Sequence, residues 1–493
     1  MSNNTQRKAM RGSIKKAVKE QGTAVTTSIT TSDLFGNDIA NDNNILKYNT
    51  ENLLTFIPYI ISSEFGGYLI YSNDAFRHYD GKKWVYLSDD TVQGIIQRKL
   101  LGITGLSQYE INNIIVGVRK TCSISEKPHN SWVDSEELAT YILPVDNGLL
   151  NLEPLLHGKD PILLEHTPNL YNTTCAHFVY NPDEEPTFLQ SFLDEVLPDK
   201  TAQMVLQEFV GLCLTYDTTA QKMLCTVGAS RSGKGTYSRL LHILFGADNC
   251  ADMTMSSMAG QFALSSLVNK RACFFNDAQD ATPQLRGTLK ENILTIVGED
   301  RLSIDRKYKN TWDGTLYARL IMICNKIPSF TDSSNALANR MIIVPFLESF
   351  ADKEDTELTK KLCANPSAAL NWAIEGLRRY YSNNRFTECI SGKEYLDEYK
   401  GVSNLTLSFI QEECKYPVPD GFSISKDIYN IYKGFMESRG CNPMSNARFF
   451  QDLRANAPKI SKKQKRINGK QEYLYQGIVL NKDILFSDQN IKD

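Results

Sequence analysis

The chain has 493 residues, 42% of them hydrophobic and 23% charged, and its 54 basic and 57 acidic side chains leave a formal net charge of −3. That length is more than one ordinary domain holds and corresponds to about three, while the composition is that of a globular chain with ample core material. A near-neutral total neither supports nor excludes a nucleic-acid partner, because such binding depends on local patches. No apolar run approaches the ~18 residues that a membrane span needs, and the N-terminus lacks a signal-peptide core. A soluble, cytoplasmic protein with no membrane partner is therefore expected.

Residues 1–45 are rich in Ser, Thr, Asn and Gln and poor in large apolar groups, which predicts a disordered tail. Arg7, Lys8, Arg11, Lys15, Lys16 and Lys19 make it basic. Residues 46–200 read as mixed α and β. Short strands are predicted at Tyr68–Tyr71, Ala75–Tyr79 and Lys83–Leu87, with Asn73-Asp74 and Asp80-Gly81 as turns. Helices follow near Thr91–Leu101 and Gln108–Arg119, and His78 reads as a structural residue of its strand. From Thr187 to about Leu214, Phe188, Phe192, Val196, Val205, Phe209 and Leu212 recur at helical spacing. The eleven cysteines are scattered singly, with no C-x-x-C and six histidines, so reduced buried thiols are expected in place of a zinc site.

The strongest local signal begins at the apolar run Met223–Val227. It feeds Gly228-Ala229-Ser230-Arg231-Ser232-Gly233-Lys234-Gly235-Thr236, and a helix with Tyr237, Leu240, Leu241 and Leu244 on one face follows. Strand, glycine-bounded loop and helix in that order are the context of a phosphate-binding P-loop. Glycines let backbone N–H groups curl around a β-phosphate, the helix N-terminus adds partial positive charge, and Lys234 supplies a full charge to the β- and γ-phosphates. ATP is the expected ligand, with Mg2+. One position departs from the usual pattern: Gly235 stands where Ser or Thr normally follows the lysine, leaving Thr236 as the candidate hydroxyl for the metal. The Gly-Lys-Gly-Thr variant also occurs in nucleoside monophosphate kinases, so nucleotide binding is better defined than the reaction.

An acid at the end of a neighbouring strand is needed for metal and water. Ala272–Phe275 ends in Asn276-Asp277, which places Asp277 in that role. The acidic pair common here is broken by Asn276. Whether Asp277 is general base, metal ligand, or shares the work with Asp280 is left open by the residues alone. A third strand, Leu320–Cys324, ends in Asn325, an amide placed to orient the lytic water. Arg340 precedes the strand Met341–Phe346, where an arginine can reach the γ-phosphate held by a neighbouring subunit. Between acid and amide, Arg306, Lys307 and Lys309 surround Tyr308, a pattern suited to phosphates and a stacked base.

The run from about Leu143 to Tyr380 resembles the superfamily III helicase domain of phage and plasmid primase-helicases, including the poxvirus and satellite-phage type. The matching pieces occur in family order: Asp146–Leu150, Pro186–Leu189, Leu206–Gly211, the phosphate loop, Asn276-Asp277, Gly298–Asp300, Arg319-Leu320, Cys324–Pro328, Asp332-Ser333-Ser334, Arg340 and Asn371–Leu377. The resemblance implies an AAA+-like α/β core at 201–380, assembled as a homo-oligomeric ring, commonly a hexamer. In it ATP binds between subunits and basic hairpins draw single-stranded DNA in the 3′ to 5′ direction. Carried over by position, Lys234 and Thr236 hold phosphate and metal, Asp277 serves the metal and water, Asn325 is the sensor, Arg340 the finger, and Lys307 with its neighbours the DNA hairpin. Residues 46–200 correspond to the family's upstream region. Too little sequence precedes them for a primase, so a separate primase and other replication proteins are expected as partners.

Residues 381–404 are polar and charged and read as a connector. Beyond it, 405–493 reads as three helices and two strands, a winged helix. Ile428, Ile431, Tyr432 and Phe435 share one helix face, and a second helix carries Arg448 and Arg454. Lys462, Lys463, Lys465 and Arg466 approach the Asn468-Gly469 hairpin signal, with no acid between Leu453 and Gln471. The helix suits a major groove and the basic wing suits phosphates, so origin duplex DNA joins single-stranded and forked DNA as an expected partner. The sequence thus points to an ATP-driven DNA helicase for a phage, plasmid or other mobile element. An AAA+ origin-binding switch that does not unwind, and less so a nucleotide kinase, remain as alternatives.

Overall fold

The computed structural model describes residues 53–72, 75–100, 107–125, 130–135, 137–307, 309–328, 330, 335–351, 355–439, 443–467 and 470–481. The basic stretch at 1–45, Asn73-Asp74, Tyr308, Asp332-Ser333-Ser334 and Asn468-Gly469 lie outside them. The chain divides into two compact units, one built from residues up to Glu136 together with Thr167–Thr173, the other from Glu137–His166 and from Thr174 onward.

In the first unit, helix α1 (Leu53–Phe65) precedes an antiparallel meander of β1 (Leu69–Ser72), β2 (Ala75–Tyr79) and β3 (Trp84–Leu87), followed by α2 (Asp89–Leu100) and α3 (Gln108–Thr121). Ser107 and Glu110 close a capping box on α3, which fixes where that helix starts. Ile60, Phe76, Val92, Ile96, Ile114 and Val118 form the core. The short β4 (Ser131–Trp132) completes its local chain order, and His78 is structural, its Nδ1 3.0 Å from the Tyr68 carbonyl oxygen.

The second unit opens with an antiparallel sheet of β5 (Ile142–Val145), β6 (Gly148–Asn151) and β7 (Ile162–Leu164). The first unit's β8 (Leu170–Tyr171) intervenes in sequence and pairs with β4. Helices α4 (Thr187–Val196) and α5 (Lys200–Cys213) then lead into alternating strands and helices: β9 (Met223–Gly228), α6 (Lys234–Phe245), β10 (Cys250–Asp252), the single turn α7 (Met255–Met258), β11 (Ala272–Phe275) and α8 (Pro283–Val297). A hairpin of β12 (Leu302–Arg306) and β13 (Lys309–Gly314) precedes β14 (Arg319–Cys324) and β15 (Met341–Phe346).

The central sheet has five parallel strands in the order β10-β11-β14-β9-β15. Its strands are near-continuous apolar runs because both faces are covered. Alternate residues go to opposite cores. Leu224, Phe274, Ile321, Ile323, Val344 and Phe346 join α4, α5 and α6 on one face. Met223, Cys225, Phe275, Leu320, Met322 and Ile343 meet Leu289, Ile293 and Ile304 on the other. The fold class is thus a mixed α/β chain with a P-loop-like parallel core.

After α9 (Leu358–Leu362) comes α10 (Pro366–Asn383), whose Gly376 sits against α5 so closely that a Cβ there would lie 2.3 Å from the Gln207 carbonyl. Residues read from the sequence as a connector include helix α11 (Ile390–Ser403). It lies on β15, with Tyr399 buried in the sheet's core and Gly392 against the Ile343 carbonyl oxygen. Its apolar stripe, Tyr395, Leu396, Tyr399 and Val402, is too sparse to stand out among the charges around it.

The C-terminal elements are α12 (Leu405–Glu413), β16 (Cys414–Ile424), α13 (Ser425–Ser438), α14 (Asn446–Asn456), β17 (Ser461–Ile467) and β18 (Lys470–Leu480). The three strands form one antiparallel sheet in the order β16-β18-β17. Strand β16 is absent from the sequence reading, because Pro417, Pro419 and Gly421 argue against a strand. It is accommodated at the sheet edge with two register irregularities, where a missing N–H is tolerated. Phe409, Tyr432, Phe449, Phe450 and Tyr475 fill the core beneath it.

Candidate functional site

The loop between β9 and α6 is shaped from both sides. Gly228 abuts β15, where a Cβ would lie 2.0 Å from the Phe346 carbonyl oxygen. Gly233 has φ +90 and faces Val196 and Phe192 of α4, so only glycine supplies both the left-handed turn and the space. Arg231 is also left-handed, at φ +64, and its carbonyl accepts from the Phe350 N–H at 2.9 Å. Ala229, Ser230 and Arg231 are exposed and Ser232 is buried. No side chain caps α6, whose N-cap is Gly233, so its first-turn N–H groups face the loop.

Lys234 is 7% exposed, and its Nζ donates to the carbonyls of Gly228 and Ala229 at 2.7 Å and to Ser232 Oγ at 2.9 Å. Burial pulls its ammonium below the usual lysine range, opposed by the nearby Cys324 thiol and Asp277 carboxylate. A desolvated cation that bonds only neutral oxygens is primed for an anion. Gly235 is exposed with open space around its Cα, and Thr236 is half-buried.

Asp277 and Asn325 follow β11 and β14, parallel strands of which β14 lies between β11 and β9, so both residues share the loop's edge of the sheet. Asp277 has φ +51, accepts from Gln279 Nε2 at 3.1 Å, and is exposed, as is Asn325. Lys234, Asp277 and Asn325 are therefore brought together. Arg340 is not. It precedes Met341, which pairs with Met223 at the opposite end of β9. Five residue steps along β9 separate the two edges by about 17 Å. There Arg340 Nη1 donates to the Ala336 carbonyl at 3.2 Å. Lys222 Nζ donates to the carbonyl of Asn339. Burial, then the charges of Lys400 and Arg340, pull the Lys222 ammonium down.

Among the sequence's basic candidates, Arg306 ends β12, Lys307 follows it in the turn and is exposed, and Lys309 opens β13 opposite Arg306. Ile304 anchors this hairpin in the core. Arg448 is exposed on the first turn of α14, whereas Arg454 Nη1 leans back to the Tyr475 hydroxyl at 3.1 Å. Lys462, Lys463, Lys465 and Arg466 are exposed along β17. Lys462 lies 4.2 Å from the Tyr473 ring centroid and Lys465 lies 5.5 Å from that of Phe422.

Sequence reasoning missed three residues behind the loop: Ser238, His242 and Asp252. Ser238 Oγ donates to Asn276 Oδ1 at 3.2 Å. Asn276 Nδ2 in turn donates to Asp252 Oδ1 at 2.6 Å. Ser238 carried one signal, a hydroxyl on an otherwise apolar helix face. Asp252 carried none beyond ending a short strand.

Residues 226–340 match a family of unknown function, DUF5906. That span runs from within β9 to Arg340. The chain is also similar to a protein of Acanthamoeba polyphaga mimivirus described as a "putative helicase", 22% identical over 323 residues, which are 63% of this chain and 31% of that protein. A protein of Invertebrate iridescent virus 3 with the same description is 20% identical over 285 residues, 52% of this chain and 30% of that protein. The chain thus spans less than a third of the length of these two relatives. Among solved structures, the apo C-terminal region of NrS-1 (305–718) has the same fold at 12% identity, with a TM-score of 0.51 over 86% of this chain and 99% of that one. No described helix is long and apolar enough to cross a membrane.

Proposed function

We propose that this chain is an ATP-dependent DNA helicase of superfamily III type that works as a ring, most simply a hexamer, in the replication of a phage, plasmid or other mobile element. The carrying observation is the split of charged groups between the sheet's two edges: Lys234, Asp277 and Asn325 at one, Arg340 at the other. A single chain cannot close such a site, but the next subunit's Arg340 can. The similarity to viral proteins described as helicases supports the same reading.

In this mechanism the loop N–H groups from Ala229 to Thr236 and the Lys234 ammonium hold the β- and γ-phosphates. Lys234 exchanges its bonds to Gly228, Ala229 and Ser232 for phosphate oxygens. Asp277 takes the proton of the attacking water, and Asn325 orients that water. Arg340 of the neighbouring subunit stabilises the charge that develops on the transferred phosphoryl group. The oxygen donors at this edge, the Asp277 carboxylate and the Thr236 hydroxyl, fit a hard divalent cation. Magnesium held there would neutralise phosphate charge.

The β12–β13 hairpin carries Arg306, Lys307 and Lys309 into contact with the phosphates of single-stranded DNA, drawn in the 3′ to 5′ direction. The C-terminal order of helix, strand, two helices and two strands supports the winged-helix reading. Arg448 sits where its helix can enter a major groove, and Lys462, Lys463, Lys465 and Arg466 form a wing for origin or forked duplex.

The test is unwinding of a forked duplex with ATP, comparing the wild type with Lys234→Ala. Displacement by the wild type that vanishes in the variant is expected. ATP hydrolysis stimulated by DNA without any displacement would instead favour an origin-binding switch.

A further inference from the structure

The Asn276 side chain, exposed beside Asp277 at the end of β11, is held by groups from two other elements. Its Nδ2 donates to Asp252 Oδ1 at the end of β10, and its Oδ1 accepts the Ser238 hydroxyl from α6. His242 spans the same two partners. Its Nδ1 is 2.8 Å from the Ser238 carbonyl oxygen, and its Nε2 is 3.1 and 3.2 Å from the two Asp252 carboxylate oxygens. The imidazole is fixed in turn by stacking on Phe274, with centroids 4.0 Å apart.

A carboxylate only accepts hydrogen bonds, so it forces the amide to present nitrogen to it. A flipped amide would set oxygen against oxygen at Asp252, whereas the Ser238 hydroxyl can either donate or accept. The Asp252 carboxylate therefore selects one of two otherwise similar amide orientations, and the Ser238 hydroxyl adds a bond to the oxygen so placed. In that orientation one Nδ2 hydrogen of Asn276 has no partner among the described residues, and it lies on the sheet edge that carries Lys234, Asp277 and Asn325.

We propose that Asp252 is a positioning residue for ATP hydrolysis: with Ser238 it locks the Asn276 amide so that its free N–H serves the lytic water held by Asp277. This rests on the reading of the loop as an ATPase site. It also divides the broken acidic pair into roles. Asp277 is the acceptor, Asn276 a donor, and the second carboxylate has moved one strand outward, where it acts through the amide.

The test is steady-state ATPase kinetics of Asp252→Asn, Ser238→Ala and the double variant, with thermal melting and binding of a fluorescent ATP analogue. Asp252→Asn keeps size on a side chain that is 56% exposed. It is expected to lower kcat by about 10-fold, the low end of what an outer-shell orienting group contributes. KM, analogue affinity and melting temperature stay within twofold or a degree or so of wild type. Ser238→Ala, the variant that tests the lock from the other side, lowers kcat in the same direction. The double variant loses little more than Asp252→Asn alone, because both remove one lock. Wild-type kcat in Asp252→Asn, or losses that multiply in the double variant, overturn the proposal while leaving the ATPase reading intact. A wild-type protein that hydrolyses no ATP in any state, with or without DNA, removes both.

Discussion

The two edges of the central sheet both hold buried or half-buried cations, and they hold them differently. At the C-terminal edge Lys234 is satisfied three times over by its own loop. At the N-terminal edge Arg340 bonds one carbonyl, its Nε is buried with no partner among the described residues, and Lys222 sits beside it. A parallel sheet directs every helix N-terminus to one edge, so only there do backbone donors and helix dipoles converge on phosphate. At the other edge Lys222 feels the charges of Lys400 and Arg340, and on the proposed reading a neighbour's triphosphate is the anion that meets Arg340.

The strongest way to break this comparison is Arg340→Ala. It is expected to lower kcat about 10³-fold, the low end for an arginine finger, with binding of an ATP analogue retained. Mixing Arg340→Ala with Lys234→Ala should restore activity, because each supplies what the other's shared site lacks. Absence of complementation, with mixed oligomers shown to form, would place both residues in one chain's site and undo the contrast between edges.

A smaller effect sharpens the role of the loop's backing. Gly228→Ala puts a methyl group into the Phe346 carbonyl, at 2.0 Å in the undisturbed backbone. It should cost about 1–3 kcal/mol of stability and weaken nucleotide binding, read by melting and by analogue titration. An unchanged melting temperature would mean that β15 does not brace the loop.

The smallest effect lies in the frame that both edges share. Asp199 caps α5 through the Thr201 N–H at 2.8 Å and accepts the Ser391 N–H of α11 at 3.1 Å. Burial pushes its carboxyl up, but the bonds from Ser391 and Thr201 outweigh this and hold it at about 2. An unfolded aspartate titrates near about 3.9. Its contribution is therefore fully present above that value and is lost as pH falls through about 2. Asp199→Ala should cost about 1 kcal/mol at neutral pH. The gap between variant and wild type should close as the solution is acidified below pH ~4, in chemical denaturation followed by circular dichroism. A gap independent of pH would assign the cost to packing.

Much of the proposed nucleotide site was legible before the fold was known, because its signals are local. Met223–Gly228, the glycine-bounded loop and the apolar face of α6 are contiguous, and each strand end that carries Asp277 or Asn325 announces itself by an apolar run breaking at a polar residue. The strands of the first unit were legible for the same reason, as alternating runs between turn residues. Strand β16 was not, because Pro417 and Pro419 veto a strand in any local reading while a sheet edge tolerates them. Helix α11 was hidden by its thin apolar stripe, since only Tyr399 enters the core deeply.

Residue order along the chain therefore carries the groups on which the proposed chemistry rests: a glycine-bounded loop, an acid, an amide, an arginine and two basic hairpins, each defined by neighbours a few positions away. Which of these meet was decided by the strand order β10-β11-β14-β9-β15. Pairing β14 between β9 and β11 gathers Lys234, Asp277 and Asn325 at one edge, and the parallel direction of β15 sends Arg340 to the other. The lock of Ser238 and Asp252 on Asn276 belongs to the same class. Residues 238, 252 and 276 have no relation in sequence, and only the packing of α6, β10 and β11 sets a hydroxyl and a carboxylate on either side of one amide.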